Sequence, residues 1–191
     1  MVGTIEKIIN KLKECACGWD SIPAIIIKDN KAILKPILSH IINNSLLHGI
    51  FPSELKIANV IPIFKSASIE EINNYRPVSL LTIFSKIYEK VFYRRLIDFL
   101  NAQHFLYKSQ YGFRANSSTY MAIVNLLDKI IEQLDEGKTA LGIFIDFSKA
   151  FDTVNHNILL DKLEHYGIRG IANHWIRSYL QNRQQYCTYM G

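Results

Sequence analysis

The segment that most constrains this chain is residues 141–152, where a short apolar run leads directly into a carboxylate. Residues 141–145 predict a buried β-strand that delivers Asp146 at its end. An ionised carboxylate among Phe and Ile side chains costs several kcal/mol unless a cation or a donor satisfies it. Mg²⁺ is a suitable cation because it binds one or two carboxylates together with waters and phosphates. The alternative is that Asp146 caps a helix expected to begin near residues 152–156.

Apolar spacing predicts a mixed α/β fold that is rich in helices. Apolar side chains recur every three or four residues in the segments 4–14, 32–48, 85–100, 119–134, 156–166 and 171–182. Two runs of β-branched and aromatic residues, 57–65 and 75–80, predict a hairpin in which Pro62 favours an edge strand. A third strand is expected at 139–146. In the fourth helix, capped by Ser118 or Thr119, the apolar side chains expected to face inward are Ile123, Leu127, Ile130 and Leu134.

Composition indicates a folded protein of the cell interior. With 191 residues and 49% hydrophobic content, the chain can bury one core, or one core and part of another. The net charge of +5 suits a partner with phosphates, although such an excess is also an ordinary solvation feature. Three cysteines, Cys15, Cys17 and Cys187, form no disulfide framework, which favours a reducing compartment, cytoplasm or nucleus. We expect neither secretion nor a membrane span, because no signal sequence and no apolar run of about 20 residues occurs.

Three collinear blocks carry a resemblance to a known family. Residues 145–156, Ile-Asp-Phe-Ser-Lys-Ala-Phe-Asp-Thr-Val-Asn-His, resemble the first catalytic motif of reverse transcriptases of non-LTR retrotransposons, the LINE and jockey type. Residues 74–81, Asn-Tyr-Arg-Pro-Val-Ser-Leu-Leu, are similar to the fingers-domain block of those enzymes. Residues 110–119, Gln-Tyr-Gly-Phe-Arg-Ala-Asn-Ser-Ser-Thr, are similar to the block that follows it. With weaker echoes at 18–23 and 175–180, the resemblance covers almost the whole chain.

The resemblance implies part of a right-hand polymerase. We expect an N-terminal helical region at 1–52, the fingers at 53–138 and the beginning of the palm at 139–191. The family's later Gly-Gln block and its Tyr-x-Asp-Asp hairpin do not occur in these residues, which contain no Asp-Asp pair. Two-metal phosphoryl transfer needs carboxylates that bridge ions about 4 Å apart. We therefore expect the front part of a reverse transcriptase domain, inactive by itself.

In the full-length protein the resemblance implies RNA-directed DNA synthesis. The partners would be an RNA template, a DNA primer and deoxynucleoside triphosphates, and the cofactor two Mg²⁺ ions, with Mn²⁺ as an alternative. Catalysis in such sites is mostly positioning and electrostatic neutralisation of phosphate charge. The rival hypothesis is a non-catalytic, nucleic-acid-binding remnant of a retroelement, which needs only a basic surface.

The family motif assigns roles to three residues of the 145–156 block. Asp146 is the catalytic, metal-binding carboxylate, and the backbone carbonyl of Phe147 is a further metal ligand. Phe151 would pack under the sugar of the incoming nucleotide, where a ring excludes a 2′-hydroxyl by steric clash. The alternative for Phe151 is a core residue that anchors the next helix. Asp152 is interpreted as structural, at the start of that helix.

Basic residues in the hairpin and after it are candidates for phosphate contacts. Lys65 and Arg76 flank the hairpin connector and would grip the triphosphate, or they are solvated cations. Arg76 precedes Pro77, which holds its backbone extended. Arg114 lies near a Ser-rich helix start and would bind template phosphate, or it is an exposed turn residue.

One further group of basic residues recurs every four positions along the third predicted helix. Such a stripe would track a nucleic-acid backbone, although a solvated face that Glu89 partly neutralises is the more common situation. The stripe consists of Lys86, Lys90 and Arg94.

Overall fold

The computed structural model describes residues 2–14, 16–66, 68–147 and 149–187, and confirms a mixed α/β fold. Cys15 lies outside the described residues. The helices and strands in the described part are α1 (Val2–Asn10), α2 (Ala24–Asp29), α3 (Lys31–His48), β1 (Ile57–Phe64), β2 (Tyr75–Leu80), α4 (Ile83–Ala102), α5 (Thr119–Asp135), α6 (His156–His165), α7 (Ile171–Leu180) and β3 (Gln184–Cys187). None of these helices is long and apolar enough to cross a membrane.

The chain groups into two compact units. The first comprises Met1–Ile97 and Asn155–Gly191, and the second comprises Asp98–Val154. All six helices expected from apolar spacing are present, and α2 is an addition. The division into fingers, palm and N-terminal region stays a prediction.

The sheet of the first unit has the strand order β2-β1-β3. β1 and β2 form the predicted antiparallel hairpin, with Pro62 opposite Pro77. The amide of Lys65 donates to the carbonyl of Asn74 over 2.8 Å. Because hydrogen-bonded and non-hydrogen-bonded residue pairs alternate along an antiparallel ladder, Pro62 and Pro77 form a non-hydrogen-bonded pair. Neither proline needs an amide N–H at this position. β1 is nevertheless the central strand, which corrects the edge prediction. Pro62 is tolerated because the parallel partner β3 pairs only with residues 57–60.

An aromatic cluster forms the core of the first unit. Phe51 is almost fully buried and makes edge-to-face contacts with Tyr88, Trp175 and Tyr179, with ring centroids 5.1–5.8 Å apart. The indole N–H of Trp175 donates to the hydroxyl of Ser45 over 2.9 Å. Residues 175–180 and the segment after α3 therefore share one core, although they are far apart in sequence.

Glycines set two close approaches around this core. Gly49 ends α3 with φ 67°, as expected for a glycine after the last helical residue. Gly18 lies against the backbone where β2 gives way to α4, so that a Cβ there would meet Leu81 and Thr82. Thr82 caps α4, because its hydroxyl accepts from the amide of Ser85 over 3.1 Å. The 18–23 block thus packs on the end of the 74–81 block.

Two sequence predictions about the second unit are wrong. The strand expected at 139–146 is absent, and its large apolar side chains are 78–87% exposed, namely Leu141, Ile143, Phe144 and Ile145. A strand needs a hydrogen-bonding partner, and no described segment pairs with this one. In α5, three of the four side chains expected to face inward, Ile123, Leu127 and Leu134, are exposed, and Ile130 is half-buried. Periodicity identified the helix, but no described element covers its apolar face.

Candidate nucleotide and nucleic-acid site

Asp146 lies in an exposed segment of the second unit and not at a buried strand end. Its Oδ1 accepts from the amide of Phe147 over 2.9 Å, and no described cation pairs with it. The cost of burying an ionised carboxylate, which drew attention to Asp146 in the sequence, therefore does not arise in this structure. The carboxylate is instead accessible, with Oδ2 free of hydrogen bonds to the described residues.

Phe151 contacts the preceding motif block. Its ring meets that of Phe113 edge-to-face, with the centroids 6.1 Å apart and the planes at 86°. Phe113 has φ 60° in the turn that precedes Arg114. Both rings are largely exposed, so the interpretation of Phe151 as a buried anchor for the next helix is not supported. The structure thus joins the 110–119 block to the 145–156 block through one aromatic pair.

The helix after the motif begins at the residue that apolar spacing predicted, but its cap is a different side chain. α6 starts at His156, and Asn155 is its cap, with Oδ1 accepting from the amides of Asn157 and Ile158 over 3.0 and 3.2 Å. Asp152 lies in a turn before the helix, where its amide donates to the carbonyl of Lys149 over 2.9 Å. Neither Asp146 nor Asp152 caps α6. Asn155 was missed, although Asn is among the most favoured N-cap residues.

Lys65 and Arg76 lie on one face of the β1–β2 hairpin in the first unit. The register places Arg76 opposite Ile63, and Lys65 bonds to Asn74, which is two residues before Arg76. Because side chains alternate between faces, Ile63, Lys65 and Arg76 share a face. Both basic side chains are exposed. The hairpin therefore presents two cations to the same side, as a polyphosphate ligand would require.

Arg114 is held by a carbonyl in the second unit. Its Nη1 donates to the backbone oxygen of Tyr107 over 3.0 Å. The start of α5 is satisfied separately, because the Ser118 hydroxyl accepts from the amide of Met121 over 3.2 Å, which confirms the predicted cap. Arg114 is therefore fixed to the preceding loop, and the predicted phosphate site at the α5 N-terminus stays a prediction.

The stripe of Lys86, Lys90 and Arg94 lies on α4 in the first unit, as its spacing predicts. Lys90 and Arg94 are exposed, and Lys86 is half-buried. Glu89 does not dilute this charge in the expected way, because it accepts a hydrogen bond from the hydroxyl of Tyr179 over 2.9 Å. The carboxylate thus points into the fold.

Glu89 forms a cluster with Tyr179 and Arg183 that the sequence did not predict. Burial raises the pKa of Glu89, with the Tyr179 hydrogen bond acting in the opposite direction. Burial and the neighbouring Glu89 charge raise the pKa of Tyr179 to about 12. Arg183 stacks over the Tyr179 ring at 4.7 Å and donates to its backbone oxygen over 3.2 Å. No local sequence pattern joins these three residues, because only the fold brings α4 and the end of α7 together.

The described residues do not by themselves form a two-metal centre. They contain no cluster of three or more His, Cys, Asp or Glu side chains placed to hold a metal. Asp146 and the carbonyl of Phe147 offer two oxygens of the kind that Mg²⁺ prefers, which is fewer than the ion needs. A complete site would require carboxylates that this part of the chain does not bring to Asp146.

Comparison with known proteins decides the family. Residues 63–190 match the family described as reverse transcriptase (RNA-dependent DNA polymerase). The chain belongs to the reverse transcriptase family. This reverse transcriptase chain is 32% identical, over 94% of its length, to the probable RNA-directed DNA polymerase from transposon BS of Drosophila melanogaster. It is 33% identical, over 65% of its length, to the RNA-directed DNA polymerase from the mobile element jockey of the same species.

The resemblance to jockey-like non-LTR elements is therefore confirmed, and with it the interpretation as part of a reverse transcriptase domain. The chain spans only 20% and 14% of the lengths of these two curated relatives. A third relative, the probable RNA-directed DNA polymerase from the X-element transposon of Drosophila melanogaster, is 28% identical over 94% of the chain and 20% of its own length. The family uses divalent metal ions and acts on nucleic acid and nucleotides.

Proposed function

We propose that this chain is the fingers and first palm segment of an RNA-directed DNA polymerase from a non-LTR retrotransposon. Its partners are an RNA template, a DNA primer and deoxynucleoside triphosphates, and it works in the cytoplasm or nucleus. The observation that carries this proposal is the family match over residues 63–190, within which the three motif blocks occur in the family's order. The names of the Drosophila relatives support the same activity.

In this proposal Asp146 and the carbonyl of Phe147 are ligands of a divalent metal, Mg²⁺ or Mn²⁺. Support comes from the accessibility of the carboxylate and from the absence of any described cation that would compete for it. A bound metal would neutralise charge on the phosphates of the incoming nucleotide. The remaining ligands must come from residues that the described part of the chain does not bring to this point.

Phe151 is proposed to exclude ribonucleotides, and Lys65 and Arg76 to bind the triphosphate. The exposed Phe151 ring is braced by Phe113, which supports a rigid steric barrier better than a free side chain would. The shared hairpin face of Lys65 and Arg76 supports a joint role on a ligand with several negative charges. Arg114, and the stripe on α4, are proposed to contact nucleic-acid phosphates.

Primer extension tests the assignment of Asp146. A longer protein that continues past Gly191 should extend a DNA primer on an RNA template with Mg²⁺, and Asp146→Ala should abolish extension. Asp152→Asn is the matched control, because it removes a carboxylate from a turn of the same motif and should retain activity. Equal extension by the wild type and Asp146→Ala would show that the assignment is wrong.

The same assay tests Phe151 and the rival hypothesis. Phe151→Val should leave deoxynucleotide incorporation in place and admit ribonucleotides, because the side chain that clashes with the 2′-hydroxyl is shortened. The 191-residue chain should not extend the primer. If the longer protein also fails while binding the template, the non-catalytic nucleic-acid-binding hypothesis is the better one.

A further inference from the structure

The end of α4 and the loop after it surround a pocket of about 210 Å³ in the second unit. By the same measure roughly 10–15 Å³ holds one water molecule, so a phosphate group fits with some of its hydration. The pocket is lined by Asn101, His104, Leu106, Lys108 and Arg114. Two of these side chains are cationic, two more can donate hydrogen bonds and none is acidic. The lining therefore offers positive charge and hydrogen-bond donors, which an anion needs.

Arg114 is held in place and still has donors to offer. Its Nη1 donates to the carbonyl of Tyr107, which also accepts from the amide of Gln110 over 3.1 Å. A guanidinium has five N–H donors in a fixed fork, so one bond to Tyr107 orients the group and leaves the others for a ligand. A planar fork of this kind matches two phosphate oxygens.

His104 follows the end of α4 in a conformation that L-residues rarely adopt. Its φ is 54°, and its amide donates to the carbonyl of Asn101 over 3.1 Å. The left-handed region costs a residue with a Cβ about 1 kcal/mol or more, and glycine or asparagine is usual at such helix ends. An imidazole that lines an anion pocket gives a chemical reason for histidine at this position. Lys108 is exposed, and its flexible side chain can place a further positive charge at the entrance of the pocket.

We propose that this pocket, Asn101–His104–Lys108–Arg114, binds a backbone phosphate of a nucleic-acid strand. The inference rests on the proposed function in one respect, namely that the partner is nucleic acid. It extends that function by adding Asn101, His104 and Lys108 to Arg114 as a built site. A strand phosphate and a free phosphate ion present the same oxygens, so the test must separate them.

The test measures binding of the 191-residue chain to a labelled single-stranded RNA of about 12 nucleotides as a function of salt. Lys108→Gln should weaken binding about fivefold at 0.1 M salt and lower the slope of log K against log salt by about 0.7, the value for one lost contact to a single strand. His104→Asn keeps a residue that tolerates positive φ, and should weaken binding without loss of folding. Lys129→Gln is the matched control, because it removes an exposed lysine of α5 that does not line the pocket.

Three outcomes would overturn the proposal. Equal losses of RNA affinity in Lys108→Gln and Lys129→Gln would mean that the net positive charge of the chain, and not the pocket, attracts the RNA. No RNA binding by the wild type would remove the strand as a ligand. If inorganic phosphate shifts the NMR amide signals of the pocket while Lys108→Gln leaves RNA affinity unchanged, the pocket holds a free anion instead. Each outcome is separate from the primer-extension test of Asp146, which judges the proposed function on a different residue.

Discussion

Replacement of Gly18 by alanine should destabilise the first unit through a purely steric effect. A Cβ at this position would lie 2.5 Å from the amide nitrogen of Thr82, and 2.7 Å from both its Cα and the carbonyl carbon of Leu81. Comfortable contacts between such atoms are about 3.5–4.0 Å, so the overlap is about 1 Å at three points. All three atoms belong to the backbone, and no side-chain rotation relieves the clash.

The expected cost follows from what must move. Overpacking of a core position costs about 1–3 kcal/mol, and here the shift also disturbs the Thr82 cap of α4, whose loss costs about 1 kcal/mol. We therefore expect Gly18→Ala to lower the free energy of unfolding by about 3 kcal/mol. With a urea m-value of about 2 kcal/mol/M, the unfolding midpoint falls by about 1.5 M.

Urea unfolding followed by tryptophan fluorescence measures this effect, since Trp175 is buried in the aromatic core of the same unit. Gly3→Ala is the control, because Gly3 lies in α1, where an added Cβ would meet no atom within 4 Å, and alanine favours a helix by about 0.5–1 kcal/mol. The two glycine substitutions should thus change stability in opposite directions. A midpoint for Gly18→Ala within error of the wild type, at an unchanged m-value, would refute the reasoning.

Two further predictions concern polar groups. The raised pKa of Glu89 means that the unfolded chain releases this proton first, so stability should fall as pH rises from about 4.5 through the pKa of the folded state. Glu89→Gln keeps an acceptor for Tyr179 and should flatten this pH dependence of stability in urea unfolding at several pH values. Glu70→Gln, at an exposed site, is the control and should leave the pH dependence as it is in the wild type. If stability still falls steeply with pH in Glu89→Gln, another group is responsible for the dependence. Ser118→Ala should cost α5 about 1 kcal/mol and speed hydrogen exchange of the Met121 amide about fivefold. Ser117→Ala should leave that amide unchanged, and equal rates in the two variants would contradict the cap.

Local patterns predicted the helices well. Apolar spacing located α3 to α7 to within a few residues, and Ser118 and Gly49 begin and end helices as their types suggest. The β1–β2 hairpin also followed from two nearby apolar runs. These elements share one property, which is that their hydrogen bonds and caps are made within a short stretch of chain.

The family resemblance identified the motif residues, and the structure changed what is known of their burial and hydrogen bonds. Asp146 was expected in a buried strand and lies in an exposed segment, so its importance rests on the family motif and no longer on the cost of burial. Asn155, not a carboxylate, caps the following helix. The pocket around His104 and Lys108 had no sequence signature, because its members matter only through their common position around Arg114.

The sequence alone determined where the described helices other than α2 lie and which family the chain resembles, since helix formation and motif identity are both local properties. The tertiary structure decided which strand pairs with β1 and which apolar surface is buried. Polar residues 184–187 form β3, while the apolar run at 141–145 pairs with no described strand. The physical reason is that a strand finds its hydrogen-bond partners, and a side chain its burial, in parts of the chain that no local pattern identifies.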